Sequence, residues 1–312
     1  MSENKLKLED LLGGIKDSDS PKDQIENIAI IGAGQMGRGI AQTVAASGYE
    51  VVVIEQSKDQ LEKAKALLQE TMEREIARWS MTISEMKAIL GRIKWSLNLE
   101  EAKEADLVIE AIFEDVLAKQ QVFATLDEIT PESTIFVSNT ASLSLTEISK
   151  VIKRKDKLVG MHFLNPVPKI PLVEVIREVE TSNDTIEIIK AFAAKLGKTA
   201  IEVYEYPGFV TTRAIVPLLN EAMHIYLEGL ATAKDIDTAM KLGYKFSSGP
   251  LELADAIGLD EVLIWMNTLW NSLGEPRFRP CPILRKLVRE RKLGVKTGEG
   301  FYKYNEDGKI IS

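Results

Sequence analysis

A single cysteine, Cys281, is all that the 312 residues contain. No internal disulfide can form, so packing alone must hold the fold, and the cytoplasm is the expected compartment. Long hydrophobic runs are also missing. No apolar stretch reaches membrane-spanning length, and the N-terminus lacks a basic segment followed by an apolar one, so neither membrane insertion nor secretion is expected. Basic charge is in deficit, with 39 Lys and Arg against 47 Asp and Glu and a formal net charge of −8. A phosphate backbone is gripped by a concentrated basic surface, so a general nucleic-acid binder is not expected. Histidine is scarce as well: only His162 and His224 occur, and the setting of each can be weighed singly.

What is present suits two packed units rather than one large core, with 45% of residues hydrophobic and 28% charged. Residues 1 to 26 are polar apart from the short patch LEDLLGGI, and read as an extension ahead of the fold. From Asn27 the order is an apolar run (NIAIIG), a glycine-rich turn, a helical stretch to Ser47 and a second apolar run (EVVVIE), that is, strand, helix, strand. The later runs LVIEA, TIFVSN, LVGMHF, LVEVI and TAIEVY alternate with stretches that suit helices. This pattern predicts a doubly wound, mostly parallel sheet of Rossmann type covered by helices on both faces.

Between Lys58 and Ile93 apolar residues return near the helical period, which predicts a helical insertion. Thr82-Ile83-Ser84-Glu85 fits a capping box and would split it into a pair with a turn near Ser80. Tyr206-Pro207-Gly208 marks the end of the first domain, 27–207. The remainder, 208–312, reads as an all-α domain with helices over Val210–Glu228, Lys234–Leu242, Leu251–Ile257, Glu261–Leu273 and Ile283–Lys292, each with a glycine or proline near an end.

Gly32-Ala33-Gly34-Gln35-Met36-Gly37 is a G-x-G-x-x-G whose context gives it weight. The glycines follow a strand and open a helix, so the backbone can approach a pyrophosphate and the helix N-terminus can face its charge. Glu55 ends the second strand where an acid binds the adenosine ribose hydroxyls, and its charge would repel the extra phosphate of NADP. These residues point to NAD. A tight strand-to-helix turn without a ligand is the plain structural alternative.

His162 ends the run LVGMHF, and ligands lie at the carboxyl ends of strands in such sheets. Glu174 follows in PLVEVI after the turn Asn165-Pro166-Val167-Pro168, which can fold the chain back beside the histidine. A buried carboxylate next to an imidazole selects its tautomer and favours its protonated form, as a base that receives an alcohol proton requires. A satisfied core histidine beside an unrelated strand glutamate is the competing reading. His224 has no such setting and is expected on a helix surface or an interface.

Taken together, GAGQMGRGIAQ, SNTASLSLTEIS, GMHFLNPVPKIPLVEVI, YPGFVTTRAIVPLLNEA and GVKTGEGFYKY resemble the 3-hydroxyacyl-CoA dehydrogenase family, particularly its bacterial 3-hydroxybutyryl-CoA members. The resemblance covers nearly everything after residue 26. It implies an NAD domain, a helical C-terminal domain that forms a homodimer, and reversible oxidation of an (S)-3-hydroxyacyl-CoA to the 3-ketoacyl-CoA. His162 would then take the hydroxyl proton with Glu174 as its partner, and Glu114, Lys119, Asn139, Asn165 and Lys296 would surround the cofactor. Two positions depart from the family on the substrate side. Ala141, followed by Ser142, stands where the family has a serine that hydrogen-bonds the reacting oxygen, and Thr212 replaces an asparagine that orients substrate. In Phe246-Ser247-Ser248-Gly249-Pro250 the family commonly has a Pro-Met before the Gly-Pro, and the helical insertion lacks a Gly-Lys near its turn. An altered acyl preference is expected. A dehydrogenase of a CoA-free 3-hydroxy acid and a catalytically weak NAD-binding protein remain as alternatives.

Overall fold

A computed structural model describes residues 25–141 and 143–311. The extension expected over residues 1–26 therefore lies outside the described residues except for Ile25 and Glu26, and so does Ser142. Eight strands form one sheet: β1 (Ile28–Ile31), β2 (Val51–Ile54), β3 (Ile93–Ser96), β4 (Leu107–Glu110), β5 (Ile135–Ser138), β6 (Leu158–Phe163), β7 (Leu172–Arg177) and β8 (Thr199–Tyr204), in the spatial order β3-β2-β1-β4-β5-β6-β7-β8. All pairings are parallel except β6 with β7, which the proline-containing turn makes antiparallel. The chain winds outward from β1 in both directions, so a crevice opens between the carboxyl ends of β1 and β4.

Why the runs fold this way is visible in β1. Ile28 and Ile30 join one apolar cluster with α1 (Gln35–Ala46), while Ala29 and Ile31 join another on the opposite face. A strand buried on both faces needs an unbroken apolar run, which IAII supplies. On the first face lie α1, α2 (Lys58–Ala77), α3 (Ile83–Gly91) and α6 (Asn183–Lys195); α4 (Val116–Ile129) and α5 (Leu145–Ser149) cover the second.

The insertion is a helical pair, and the Thr82–Glu85 capping box forms in full at the start of α3. One expectation needs correction. Ile93 ends no helix; it starts β3, an edge strand paired with β2. Ile93 satisfies the helical spacing and a buried strand position equally, and in a four-residue edge strand with only Ile93 buried alternation gives little signal.

The C-terminal part contains α7 (Thr211–Leu227), α8 (Ala233–Tyr244), α9 (Pro250–Ile257), α10 (Leu259–Leu273) and α11 (Pro282–Arg289) around their own core of Leu219, Met223, Leu251, Met266 and Phe278. Helix α8 does not stop at Gly243; it runs to Tyr244 and turns at Lys245, whose φ is +59°. Helix α11 ends at Arg289, short of Lys292, and α10 begins two residues earlier than expected because Gly258, at φ +107°, turns the chain into it directly. His224 is half-buried on α7.

The last segment is drawn onto this core by a buried carboxylate. Asp255 accepts from the amides of Phe301 and Tyr302 and from the Tyr304 hydroxyl, while the Tyr302 hydroxyl donates to Asp237. Burial pushes Asp255 up to about 6 against the pull of its hydrogen bonds, and Asp237 adds to the rise. A folded value above the ordinary one means that the folded state binds the extra proton. The stabilisation is then fully present below the unfolded value and is lost as pH rises through about 6. Asp255→Asn should remove this dependence, on the order of 3 kcal/mol. Urea unfolding of both proteins across that range would show it as a difference in slope.

Candidate active site

Five strand ends build the site. Gly32 leaves β1 at φ +99°, and its amide donates to Ile54 O at 2.8 Å. A Cβ at Gly37 would lie 1.9 Å from Gly32 O, so only glycine lets α1 pack this close to the turn. At Gly34 a Cβ would meet nothing within 4 Å: the turn is open on that side. The N-terminus of α1 has neither a side-chain cap nor an acidic residue in its first turn. Its free amides and the positive end of its dipole thus face open space, the arrangement that receives a pyrophosphate. Gln35 is exposed there, whereas Met36 is half-buried against the sheet core, so its side chain serves packing.

Glu55 reaches back over the turn. One carboxylate oxygen accepts from the Ala33 amide at 3.0 Å and the other from Gln56 at 2.8 Å. The acid and the phosphate turn thereby become one unit, and an open glycine turn at a helix N-terminus beside a carboxylate fits a dinucleotide.

The carboxyl ends of β4 and β5 hold a charge network that sequence reasoning only half found. Lys119 is wholly buried, with its ammonium 2.7 Å from Glu110 and 3.4 Å from both Glu114 and Asn139 O. Glu110, also wholly buried, further accepts from the Ile112 amide and the Ser138 hydroxyl. Burial pushes its carboxyl up, opposed first by the charge of Lys119. Glu114 binds the following loop: it accepts from the Thr140 hydroxyl and from the Ala141 amide, the latter at 3.0 Å. Glu110, Ser138 and Thr140 were missed. Glu110 left a signal, a lone charge inside the apolar run LVIEA; Ser138 and Thr140 left none.

At the end of β6, Asn139 Oδ1 accepts from the Phe163 amide at 3.3 Å. His162 sits opposite Glu174 in the β6–β7 register, and its Nδ1 is 2.6 Å from Glu174 Oε2. Both side chains are buried, and the imidazole packs against the Phe209 ring at 5.7 Å. Glu174 also accepts from the amides of Val210 and Thr211 and from the Thr211 hydroxyl. It thus caps the first turn of α7 and ties the sheet to the helical part. Burial raises its carboxyl, but the His162 and Thr211 bonds outweigh this and hold it below the usual carboxylate range. An ionised Glu174 accepts the Nδ1 proton and leaves Nε2, which has no hydrogen bond among the described residues, as the basic nitrogen. Thr211 was also missed, because nothing in PGFVTTR shows that the helix start meets a glutamate.

Other expected residues lie at the margins. Asn165 is exposed in the turn after β6. Ala141 is half-buried, and Thr212 is buried in the first turn of α7 with no side-chain hydrogen bond among the described residues. Lys296 makes no hydrogen bond to the sheet-borne network among the described residues; it pairs at 2.5 Å with Asp260 at the start of α10.

This fold and site define an NAD-binding dehydrogenase of the doubly wound class, and the comparisons with known proteins narrow it. Residues 27–206 match the family model described as 3-hydroxyacyl-CoA dehydrogenase, NAD binding domain, and residues 208–304 match its C-terminal domain. The chain belongs to the 3-hydroxyacyl-CoA dehydrogenase family, the NAD-dependent oxidoreductases. It is 47% identical to the probable 3-hydroxybutyryl-CoA dehydrogenase of Bacillus subtilis over 91% of this chain and 99% of that one. It is 41% identical to human mitochondrial hydroxyacyl-coenzyme A dehydrogenase over 90% of this chain and 91% of the relative. The solved (S)-3-hydroxybutyryl-CoA dehydrogenase of Ralstonia eutropha superposes with a TM-score of 0.82 at 40% identity, covering 90% of this chain and all of that one.

Proposed function

We propose that the protein interconverts short-chain (S)-3-hydroxyacyl-CoA and 3-ketoacyl-CoA, with His162 as the base. The observation that carries this is the buried His162–Glu174 pair at the carboxyl end of β6, joined through Asn139 to the strand ends beside the phosphate turn. Bound NAD supplies the hydride acceptor. The protein's own part is to hold the substrate hydroxyl at His162 Nε2, accept its proton there and keep the imidazole in one tautomer through Glu174. Gly32, Gly34, Gly37 and Glu55 hold the adenosine half; Glu114, Asn139, Asn165 and Lys296 border the nicotinamide half, with Lys119 acting from below through Glu110 and Glu114.

A cleft of about 850 Å³ lies between the end of α2 and the C-terminal segment. Arg74 and Arg78, at the end of α2, line it together with Lys296, Asn305, Glu306 and Asp307. The two arginines stand near the place of the missing Gly-Lys and offer donors to CoA phosphates. Residues 27–207 act as the cofactor domain and 208–312 as the substrate and dimerisation domain. Leu227, Leu230, Leu242 and Tyr244 are exposed on α7, α8 and the turn between them, and a second copy of the chain would cover them. The cytoplasm is the compartment that suits a chain with one buried thiol.

The test is NAD reduction by (S)-3-hydroxybutyryl-CoA beside its (R) isomer: turnover of the (S) ester alone is expected, and turnover of neither would remove the assignment. Two predictions accompany it. Glu55→Ala should raise kcat/KM with NADP relative to NAD, and an unchanged ratio would take Glu55 out of the ribose site. Ala141→Ser restores a donor to the reacting oxygen and should raise kcat by about tenfold or more. No gain would show that the pocket has been rebuilt without that donor.

A further inference from the structure

The turn between β6 and β7 is clamped by a group that no step above uses. Lys198, in the loop between α6 and β8, is buried, and its ammonium donates to Val167 O at 2.6 Å and Ile170 O at 2.8 Å. These carbonyls flank a turn closed by the amides of Lys169 and Ile170 on Pro166 O. No carboxylate lies within ion-pair distance of Lys198 among the described residues. The same turn leans on α1, where a Cβ at Gly39 would come within 3.1 Å of Val167, and is tied to α2 by Lys169 Nζ, 3.3 Å from Glu75. It is therefore held on three sides, and among the described residues only Lys198 holds it with a buried charge.

An ammonium taken out of water without a counter-charge is expensive, and burial pushes that of Lys198 down. The residue nonetheless bridges two carbonyls, one on each side of Pro168 and Lys169. The turn it fixes follows directly on Asn165, three residues beyond His162, and continues into β7, which carries Glu174.

We propose that Lys198 is a positioning residue for the proton-transfer site, locking the 165–170 turn so that Asn165 is held in register with His162 and the cofactor. This rests on the reading of His162 as base and Asn165 as a cofactor contact. A turn freed by a fraction of its length shifts Asn165 without removing any group from the site, and small displacements near a reacting centre are costly in rate.

The test compares wild type, Lys198→Met, Asn165→Ala and the double variant in (S)-3-hydroxybutyryl-CoA oxidation, with unfolding midpoints measured for each. Lys198→Met should lower kcat by about tenfold to a hundredfold with the KM for the acyl-CoA changed far less, and should have little further effect once Asn165 is alanine. A folded Lys198→Met with wild-type kcat overturns the proposal, as does an equal loss in both backgrounds, which would mark a merely structural role. If Lys198→Met does not fold, Lys198→Gln, whose amide still donates to a carbonyl, carries the same comparison. An inactive wild type would instead overturn the reading of the site itself, and this inference with it.

Discussion

Replacing His162 by glutamine should lower kcat by about a hundredfold to ten-thousandfold while leaving NADH affinity close to that of the wild type. The fold should survive, because Glu174 keeps its bonds to Val210, Thr211 and the Thr211 hydroxyl when the imidazole is gone. Cofactor binding should survive because the glycine turn and Glu55 make no hydrogen bond with His162 among the described residues; they meet each other through the Ala33 amide. Steady-state kinetics and a fluorescence titration with NADH separate the two quantities. A parallel loss of cofactor affinity would make His162 a binding residue and take the proton step away from it.

The largest stability effect is expected at Lys119. Lys119→Met leaves the wholly buried Glu110 carboxylate without its cation and should cost about 3 to 5 kcal/mol. The remaining donors, Ile112 and Ser138, are neutral. With the cation gone, burial alone raises Glu110, so the folded variant binds a proton more readily than the unfolded chain. Its stability should therefore recover as pH falls and decline as pH rises. The double variant Lys119→Met/Glu110→Gln should regain much of the loss, since removing both charges leaves no uncompensated ion. Urea unfolding at several pH values measures all three; a Lys119→Met protein as stable as the wild type would show that the pair carries no stabilising charge.

Both predictions depend on residues that the sequence revealed unequally. His162 and Glu174 were legible because strand ends and a short proline turn leave the chain little choice but to double back. The register then places them opposite each other. The glycine turn and Glu55 were legible because their spacing is set by one strand-helix-strand unit. Lys119 was legible only through the family resemblance, and its nearest partner, Glu110, was not picked out at all. Their pairing is made by α4 crossing the end of β4, a tertiary event with no local pattern. Thr211 escaped for the same reason: its partner is in β7, 37 positions away. Edge strand β3 was lost to a helical spacing that Ile93 satisfies by coincidence. The helical part was read well where glycine stops a helix, at Gly229 and Gly274, and less well at Gly243, which α8 passes through. Glycine weakens a helix without ending it unless the next turn needs positive φ.

The substrate side was legible only as departures. Ala141 stays in the loop bound by Glu114, and Thr212 stays in the first turn of α7 beside the Glu174 cap. The backbone at the first position and just before the second is therefore anchored by a carboxylate, Glu114 at one and Glu174 at the other. On the proposed reading of the site, a change of side chain there acts on rate and acyl preference and leaves cofactor binding and the proton acceptor in place.

The measurement that bears most directly on this account is NADH oxidation by the purified protein with acetoacetyl-CoA, run beside free acetoacetate at the same concentrations. Turnover of the CoA ester with little or none of the free acid is the predicted result. No turnover of the ester while NADH remains bound, or equal turnover of the free acid, would contradict it.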